Sequence, residues 1–479
     1  MGEQTNPTIK IKAGAGYKGL GVFKTKDDKK PTAKILKTER YYSSPISLTS
    51  QFYFCPVPLR LDTYSGCSHN CLYCFANNSN MKFIIDADYQ EQQQNVSVIP
   101  TKIEYIKKYF DIAFNGLKNT FSNQEAIAIE CIKHKVPLHF GGMSDPLQPC
   151  EEKYKLTYKT LELLKSYEYP IIFSTKGRLL LKKEYFDLIN DYENFALQIS
   201  LIDDRQEVIS LLEPNATSVE ERFEMFKMYQ HKWTACRIQP FIVGLSEPRI
   251  IPMLDKLKSL NVNHVMVEGL KFFSGNKRAN KRIGEAFKKI TGKTFDLLAY
   301  YKAIGAKHSG NDVELPSWRK YRYDKIFADE CKKRGMTFGC ADNDLRFLGN
   351  SPCCCGVEGL KGFDGMLRHN TGFAIFRAQK GCKKEFGLSE IQDEYFPDGK
   401  FRMVMSNLKA FKRYGNDENN KTSNRPIKEL FLNAWNKGGK NSPCDVCIVK
   451  HLGCGKYRFL TPTEQEKLLK DEGEQKTLI

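Results

Sequence analysis

The feature that most limits how this chain can fold is a strict alternation of short apolar runs and longer amphipathic ones, from about residue 55 to residue 275. The apolar runs Leu59–Tyr64, Val136–Phe140, Ile171–Thr175, Ala196–Leu201, Ala235–Phe241 and His264–Glu268 read as buried strands. Between them, Ile103–Phe114, Glu152–Ser166, Lys182–Asn190, Ser218–His231 and Arg249–Leu260 read as helices. Ser218 followed by Glu221 has the spacing of a capping box. Strands separated by helices lie parallel, and right-handed crossovers curl such a sheet toward a barrel. The expected fold is α/β, a partial (β/α)6 TIM-type barrel with a C-terminal cysteine-rich metal-binding extension. In such a barrel the chemistry sits at the C-terminal ends of the strands.

The 479 residues are enough for several units. Four are expected: a basic N-terminal extension over 1–50, the barrel over 51–275, a basic helical segment over 276–335, and a cysteine-rich domain over 336–479. Met1–Arg40 holds ten Lys/Arg against four Asp/Glu. Gly14, Gly16 and Gly19 match G-x-G-x-x-G, but strand-like Val22–Lys26 follows where a dinucleotide site needs a helix. That stretch reads as a glycine-rich turn or a basic arm. Ser317–Gly335 reads as a helix with Trp318, Tyr321, Ile326 and Phe327 on a core face. Its interleaved Arg319, Lys320, Arg322 and Lys325 read first as a solvated face and second as a phosphate track. The polar N-terminus and the lack of a membrane-length apolar run lead us to expect a cytoplasmic protein that meets no membrane.

Lys and Arg number 74 against 56 acidic residues, a net charge of +18, which makes nucleic acid the first polyanionic partner to consider. Of the sixteen cysteines, most cluster at Cys67–Cys74, Cys340–Cys355 and Cys444–Cys454. Clustered cysteines in a cytosolic chain hold metals more often than disulfides.

The first cluster, Cys67-Ser68-His69-Asn70-Cys71-Leu72-Tyr73-Cys74, spells C-x3-C-x2-C directly after the first strand. Three close thiolates can hold three irons of a [4Fe–4S] cluster and leave the fourth open to a chelating ligand. Zinc is the rival, although its usual C-x2-C pair needs a second pair elsewhere. The whole arrangement, with Tyr73 before the last cysteine, resembles the signature of the radical SAM superfamily. Later stretches resemble its spore photoproduct lyase branch, which is described as photolyase-like. They are Gly141-Gly142-Met143-Ser144-Asp145 after the second strand, Thr175-Lys176 ending the third, Ser200 ending the fourth, and Glu213-Pro214 with Arg222 beyond. The resemblance spans roughly Tyr64 to Glu268. It implies a [4Fe–4S] cluster on Cys67, Cys71 and Cys74, and S-adenosylmethionine (SAM) cleaved reductively to a 5′-deoxyadenosyl radical. It also implies Tyr73, Gly141, Gly142, Ser144, Asp145, Lys176 and Ser200 around SAM, and an electron donor such as flavodoxin or ferredoxin. The lyase has a hydrogen-donating cysteine where this chain has Gly142; Cys150 lies a few residues on.

Cys444-x2-Cys447-x6-Cys454 is a second metal-type pattern, and the region is similar to the auxiliary-cluster segments behind some radical SAM barrels. It is expected to hold a second iron–sulfur cluster or zinc, with Cys340 or one of Cys353–Cys355 (Cys354 among them) as the fourth ligand and His451 as an alternative for zinc. Three readings of function follow. The first is a radical SAM enzyme on nucleic acid or a nucleotide-like substrate. The second is a radical SAM enzyme on a peptide or small molecule. The third is a zinc-stapled nucleic-acid-binding protein that is not an enzyme.

Overall fold

The computed structural model describes residues 41–49, 52, 54–76, 98–116, 122–275, 277–293, 295–309, 312–367, 371–388, 408, 426–438, 442–445, 448–465 and 467. The glycine-rich Gly14–Gly19 stretch, the basic Met1–Arg40 arm and Cys447 lie outside them.

In chain order the first strands are β1 (Ile46–Leu48), β2 (Leu59–Leu61), β3 (Tyr64–Ser65) and β4 (Ile99–Pro100). They are followed by β5 (Leu138–Phe140), β6 (Ile171–Thr175), β7 (Phe195–Ser200), β8 (Thr234–Phe241) and β9 (His264–Gly269). After these come β10 (Phe272–Phe273), β11 (Lys307–Ser309), β12 (Asp312–Glu314) and β13 (Thr337–Cys340). Among the described residues one sheet of eight strands runs β1-β2-β5-β6-β7-β8-β9-β13. All its neighbours are parallel except β1, which pairs antiparallel with β2. The strands follow one another in sequence order, and β1 and β13 stand at opposite edges. The sheet is therefore an open, partial barrel wrapped by helices, in the expected α/β class.

The sequence pattern holds because a parallel sheet covered on both faces buries every strand residue. All five residues of β6 and all six of β7 are buried. Leu197, Ile199, Phe173, Val265 and Val267 face the helices in the main core, each worth about 1.5–3 kcal/mol of burial. Alternate residues turn inward and are polar: His139 of β5, Ser174 of β6, Gln198 of β7 and Arg237 of β8. Ser174 Oγ donates to Gln198 Oε1 at 2.8 Å and lies 2.7 Å from His139 Nε2, and Arg237 reaches both His139 and Ser174. The Ser218 capping box forms, with Glu221 accepting from the Ser218 backbone.

Several expectations are corrected. The run Leu59–Tyr64 breaks after Leu61, and Tyr64–Ser65 pairs antiparallel with β4. The helix expected over Glu152–Ser166 is two, Glu151–Tyr154 and Leu156–Ser166, divided at Lys155, whose φ is +50°. Asn123–Lys133 forms a helix that periodicity did not suggest, although Ser122 and Glu125 spell its capping box. The boundary expected between 335 and 336 falls inside one helix–strand unit: β13 pairs with β9 and extends the sheet. The segment 276–335 is not helical throughout, since β10, β12 and β11 form a small antiparallel sheet with β10 just before it. On the helix Ser317–Lys333 the buried face carries Lys320, Tyr323, Asp324, Phe327 and Cys331, whereas Ile326 is exposed. Lys320 goes inward because Asp342 and Asp344 compensate its charge at 3.2 and 2.9 Å, a pairing that hydropathy cannot register.

Candidate active site

In a parallel sheet all strand-to-helix loops emerge on one side, so the segment after β2, which runs through β3, and those after β5, β6 and β7 meet there. The loop after β3 carries the three cysteines. Cys67 is buried, while Cys71 and Cys74 are half-buried. The loop is pinned from two directions. Gln148 Oε1 accepts from the Ser68 N–H at 2.9 Å, and its amide donates to Gly66 O at 3.1 Å. On the other flank Leu72 N–H donates to Leu212 O at 2.9 Å, and Asn215 Nδ2 donates to Ser68 O at 3.0 Å. Within the loop, Cys74 N–H donates to Cys71 O at 3.1 Å.

The segment after β5 turns sharply at Gly141, whose φ is +89° and where a Cβ would stand 2.4 Å from Ser174 O. Only glycine fits that approach. Met143 and Ser144 then donate their N–H groups to Asp62 Oδ1 at 2.9 and 3.0 Å, and Ser144 Oγ donates to Tyr64 O at 2.6 Å. Burial lifts the Asp62 carboxyl to about 6, against the pull of those two N–H donors. Asp145 is the junction of three loops. It accepts from Leu147 N–H at 2.9 Å, from Thr175 Oγ at 2.7 Å and from Lys176 N–H at 2.7 Å, and His69 Nε2 is 3.5 Å away. Burial alone would raise its carboxyl; His69 and these donors outweigh it and hold it below its ordinary value. Burial and then the Asp145 carboxylate push the Cys67 thiol well up, with the Asp145 backbone N–H pulling the other way.

Lys176, at the end of β6, sets its ammonium 3.7 Å from Cys71 Sγ, 2.8 Å from the Tyr73 hydroxyl and 2.9 Å from Glu213. Glu213 also accepts from Tyr73 and from Arg222, whose other donors reach Ser200 O at 3.1 Å and Thr217 O at 2.8 Å. Glu213 and Arg222 are fully buried. Burial would raise the Glu213 carboxyl, but Arg222 and then Lys176 draw it down to about 2. Burial pushes the Cys71 thiol up to about 12, with Lys176 the leading opposing influence.

The donor set fits an iron–sulfur cluster with one open position: three thiols on one pinned loop and a cation beside one of them. Of the expected residues, Cys71, Tyr73 and Lys176 are in mutual contact, and Cys67 meets Asp145. Ser144 and Gly141 shape the neighbouring turn. The Ser200 carbonyl is engaged by Arg222. Gly142 is not in the left-handed region, and a Cβ there would meet Arg60 at 3.2 Å. Sequence reasoning passed over Asp62, His69 and Gln148, and quoted Glu213 and Arg222 without giving them a place. The segment Glu213-Pro214-Asn215, with Arg222 nine residues beyond Glu213, was the available signal for the last pair.

The other expected metal ligands part company. Cys340 of β13 lies with Asp324 and Asp342, donating to Asp324 at 3.3 Å. Cys354 packs beneath the barrel with Cys353, Cys355 and Cys55. Cys444 and Cys454 belong to a third region, around the small sheet β14 (Glu385–Phe386), β16 (Lys456–Phe459) and β15 (Val449–Gly453), where Cys454 is exposed. The basic run on the helix Ser317–Lys333 is largely occupied: Lys320 is buried, Lys325 pairs with Asp329 at 2.6 Å, and Arg322 lies over the Trp318 ring. No described helix is long and apolar enough to cross a membrane.

No family model and no curated protein matches the chain. Among solved structures it is similar to a spore photoproduct lyase variant with bound AdoMet and dinucleoside spore photoproduct. That match has 13% identity over 63% of this chain and 79% of the other, with a TM-score of 0.40. It is also similar to SuiB of Streptococcus suis bound to the precursor peptide SuiA, at 13% identity over 50% of this chain and 54% of the other, with a TM-score of 0.26. A third similar structure is coproporphyrinogen III oxidase (HemN) from Escherichia coli, described as a radical SAM enzyme, at 13% identity over 85% of this chain and 87% of the other, with a TM-score of 0.35.

Proposed function

We propose that this chain is a radical SAM enzyme acting on nucleic acid or a nucleotide-like substrate. The observation that carries the chemistry is the Cys67/Cys71/Cys74 loop at the mouth of the parallel sheet, with the Lys176 ammonium 3.7 Å from Cys71. Cys67, Cys71 and Cys74 would hold a [4Fe–4S] cluster. Bound together, that cluster and SAM would supply reductive cleavage of a carbon–sulfur bond.

The chain's own residues do the rest. Lys176 favours the thiolate form of Cys71, since a cation beside a sulfur stabilises its charge. Glu213 fixes where that cation stands, and Arg222 keeps Glu213 ionised. Asp145 ties the turn after β5 to the end of β6, so the backbone flanking Gly141 keeps one shape. The polar lining of His139, Ser174, Gln198 and Arg237 offers hydrogen-bonding groups inside the barrel. Burial, then Arg237 and Arg60, drives the His139 ring toward its neutral form, so it takes part in hydrogen bonds rather than carrying charge.

For the substrate, the support is the net charge of +18 and the resemblance to the photolyase-like branch. A base inside a duplex would have to be exposed to reach the barrel, which favours single strands or distorted sites. The reading is tested by low-temperature electron paramagnetic resonance of the reduced protein. Addition of SAM should reshape the signal of the wild type, and a Cys74→Ala variant should lack that signal. A spectrum unchanged by SAM would mean that no iron is open to it.

A further inference from the structure

Four more thiols gather at the other end of the barrel. Cys55 lies just ahead of β2, and the consecutive Cys353, Cys354 and Cys355 come after β13 and the short helical turn Asn343–Leu348. Ile172 of β6, Ala196 of β7 and Met266 of β9 form one packed cluster with Val57, Cys353 and Cys355, and Cys55 and Cys354 pack against it. Cys353 and Cys355 are 1% and 6% exposed. The run of three is held in place. His264, which opens β9, has Nε2 2.8 Å from Cys354 O, and a Cβ on Gly339 would stand 2.1 Å from the same oxygen.

Two guanidinium groups face these sulfurs. Arg346 interacts with Cys354, Cys55 and Cys353, which outweigh the burial that opposes its charge. For Arg237, burial outweighs the pull of Cys355, Glu268 and Cys354. Arg346 donates Nη1 to Phe54 O at 2.6 Å, but its buried Nε has no hydrogen-bond partner among the described residues. An unmatched donor on a buried cation is destabilising. As neutral thiols, the four cysteines leave that cation uncompensated; as bare thiolates, they repel one another. Thiolates shared with a metal resolve both problems, because the centre is held together and its remaining negative charge meets the guanidiniums.

We propose that Cys55, Cys353, Cys354 and Cys355 form a second, thiolate-ligated metal site at the end of the barrel opposite Cys67, Cys71 and Cys74. Zinc and iron–sulfur ligands are both usually separated by two or more residues, so the metal is identified by its stoichiometry rather than by the spacing. A small cleft is lined by Phe54, Arg346, Phe347, Ser351, Pro352 and Gln379, and Phe54 and Pro352 are the chain neighbours of Cys55 and Cys353. This assignment does not depend on SAM chemistry at the first site. It also divides the late cysteines, leaving Cys444 and Cys454 out of the centre.

The test uses the full chain with Cys67→Ala, Cys71→Ala and Cys74→Ala combined, purified without oxygen. That protein should keep one centre per chain: about four iron and four sulfide for a cluster, or about one zinc and no sulfide for a zinc site. Either result supports the site and identifies its metal. Adding Cys55→Ser with Cys354→Ser should empty it, while adding Cys444→Ser with Cys454→Ser should leave it full. Absence of metal from the triad-free protein overturns the proposal, as does the reverse pattern in the two added pairs. If the Cys55→Ser/Cys354→Ser chain does not fold, alkylation of the triad-free protein decides. Cys55, Cys353, Cys354 and Cys355 should be labelled only after chelation, and equal labelling before and after chelation contradicts the site.

Discussion

Lys176 places its ammonium 3.7 Å from the sulfur of Cys71, at the end of the strand β6 and on the far side of the loop that carries the cysteines. The contact joins two elements more than a hundred residues apart, and Glu213 keeps it in register. Replacing Lys176 with Met removes the cation while keeping the length of the side chain. We expect SAM cleavage to fall at least about tenfold, roughly 1.4 kcal/mol in the barrier, with Lys176→Arg retaining more activity than Lys176→Met. The measurement is the rate of 5′-deoxyadenosine release per iron bound. Equal rates for wild type and Lys176→Met would remove the lysine from the account.

Glu213 and Arg222 are a buried ion pair, and a buried charge without its partner is costly. Arg222→Met should destabilise the chain by about 3–5 kcal/mol, read as the shift in a urea unfolding midpoint. A double variant Arg222→Met/Glu213→Leu should recover much of that loss. If the double variant is no more stable than the single one, Glu213 was not left uncompensated.

The same carboxylate sets a pH dependence. Its value in the folded chain is about 2, below its ordinary 4.5. Its contribution is therefore full above pH 4.5 and is lost as pH falls from 4.5 toward 2. Wild type should lose stability across that window, and Glu213→Gln should show a shallower slope there. Parallel slopes for the two proteins would place the acid sensitivity elsewhere.

Gly141→Ala tests the turn that follows β5. The new Cβ would enter a left-handed residue and press on Ser174 O. A loss of about 1–3 kcal/mol is expected from the strained conformation alone, together with a raised apparent KM for SAM. Unchanged stability and KM would show that the backbone can move aside.

How much of this was legible in advance follows from what each kind of residue signals. β6 and β7 are buried on both faces, so Ile171–Thr175 and Ala196–Leu201 stand out as unbroken apolar runs. The Cys67–Cys74 loop was legible because its ligands are close in sequence. Lys320, Asp324 and Asp342 were not, because a buried ion network has the same composition as a solvated surface until its partners are known. β13 was assigned beyond the barrel because its four residues follow a helix read as basic and peripheral. The meeting of Cys55 with Cys353–Cys355 spans some three hundred positions, and no local pattern announces it.

Substrate class is checked by titrating single- and double-stranded DNA and RNA at two salt concentrations. Binding through phosphates should weaken steeply with salt, because each neutralised phosphate releases counterions. Single strands should bind at least as tightly as duplexes. No binding at low salt, with no stimulation of SAM cleavage by any nucleic acid, would turn the assignment to peptides or small molecules.

The central claim is that Cys67, Cys71 and Cys74 hold the iron that cleaves SAM. Reconstituted, reduced wild-type protein should release 5′-deoxyadenosine and methionine in equal amounts. Cys67→Ala, Cys71→Ala and Cys74→Ala should each abolish both products, while Cys444→Ala should leave them unchanged. Equal release by wild type and Cys71→Ala would contradict the account.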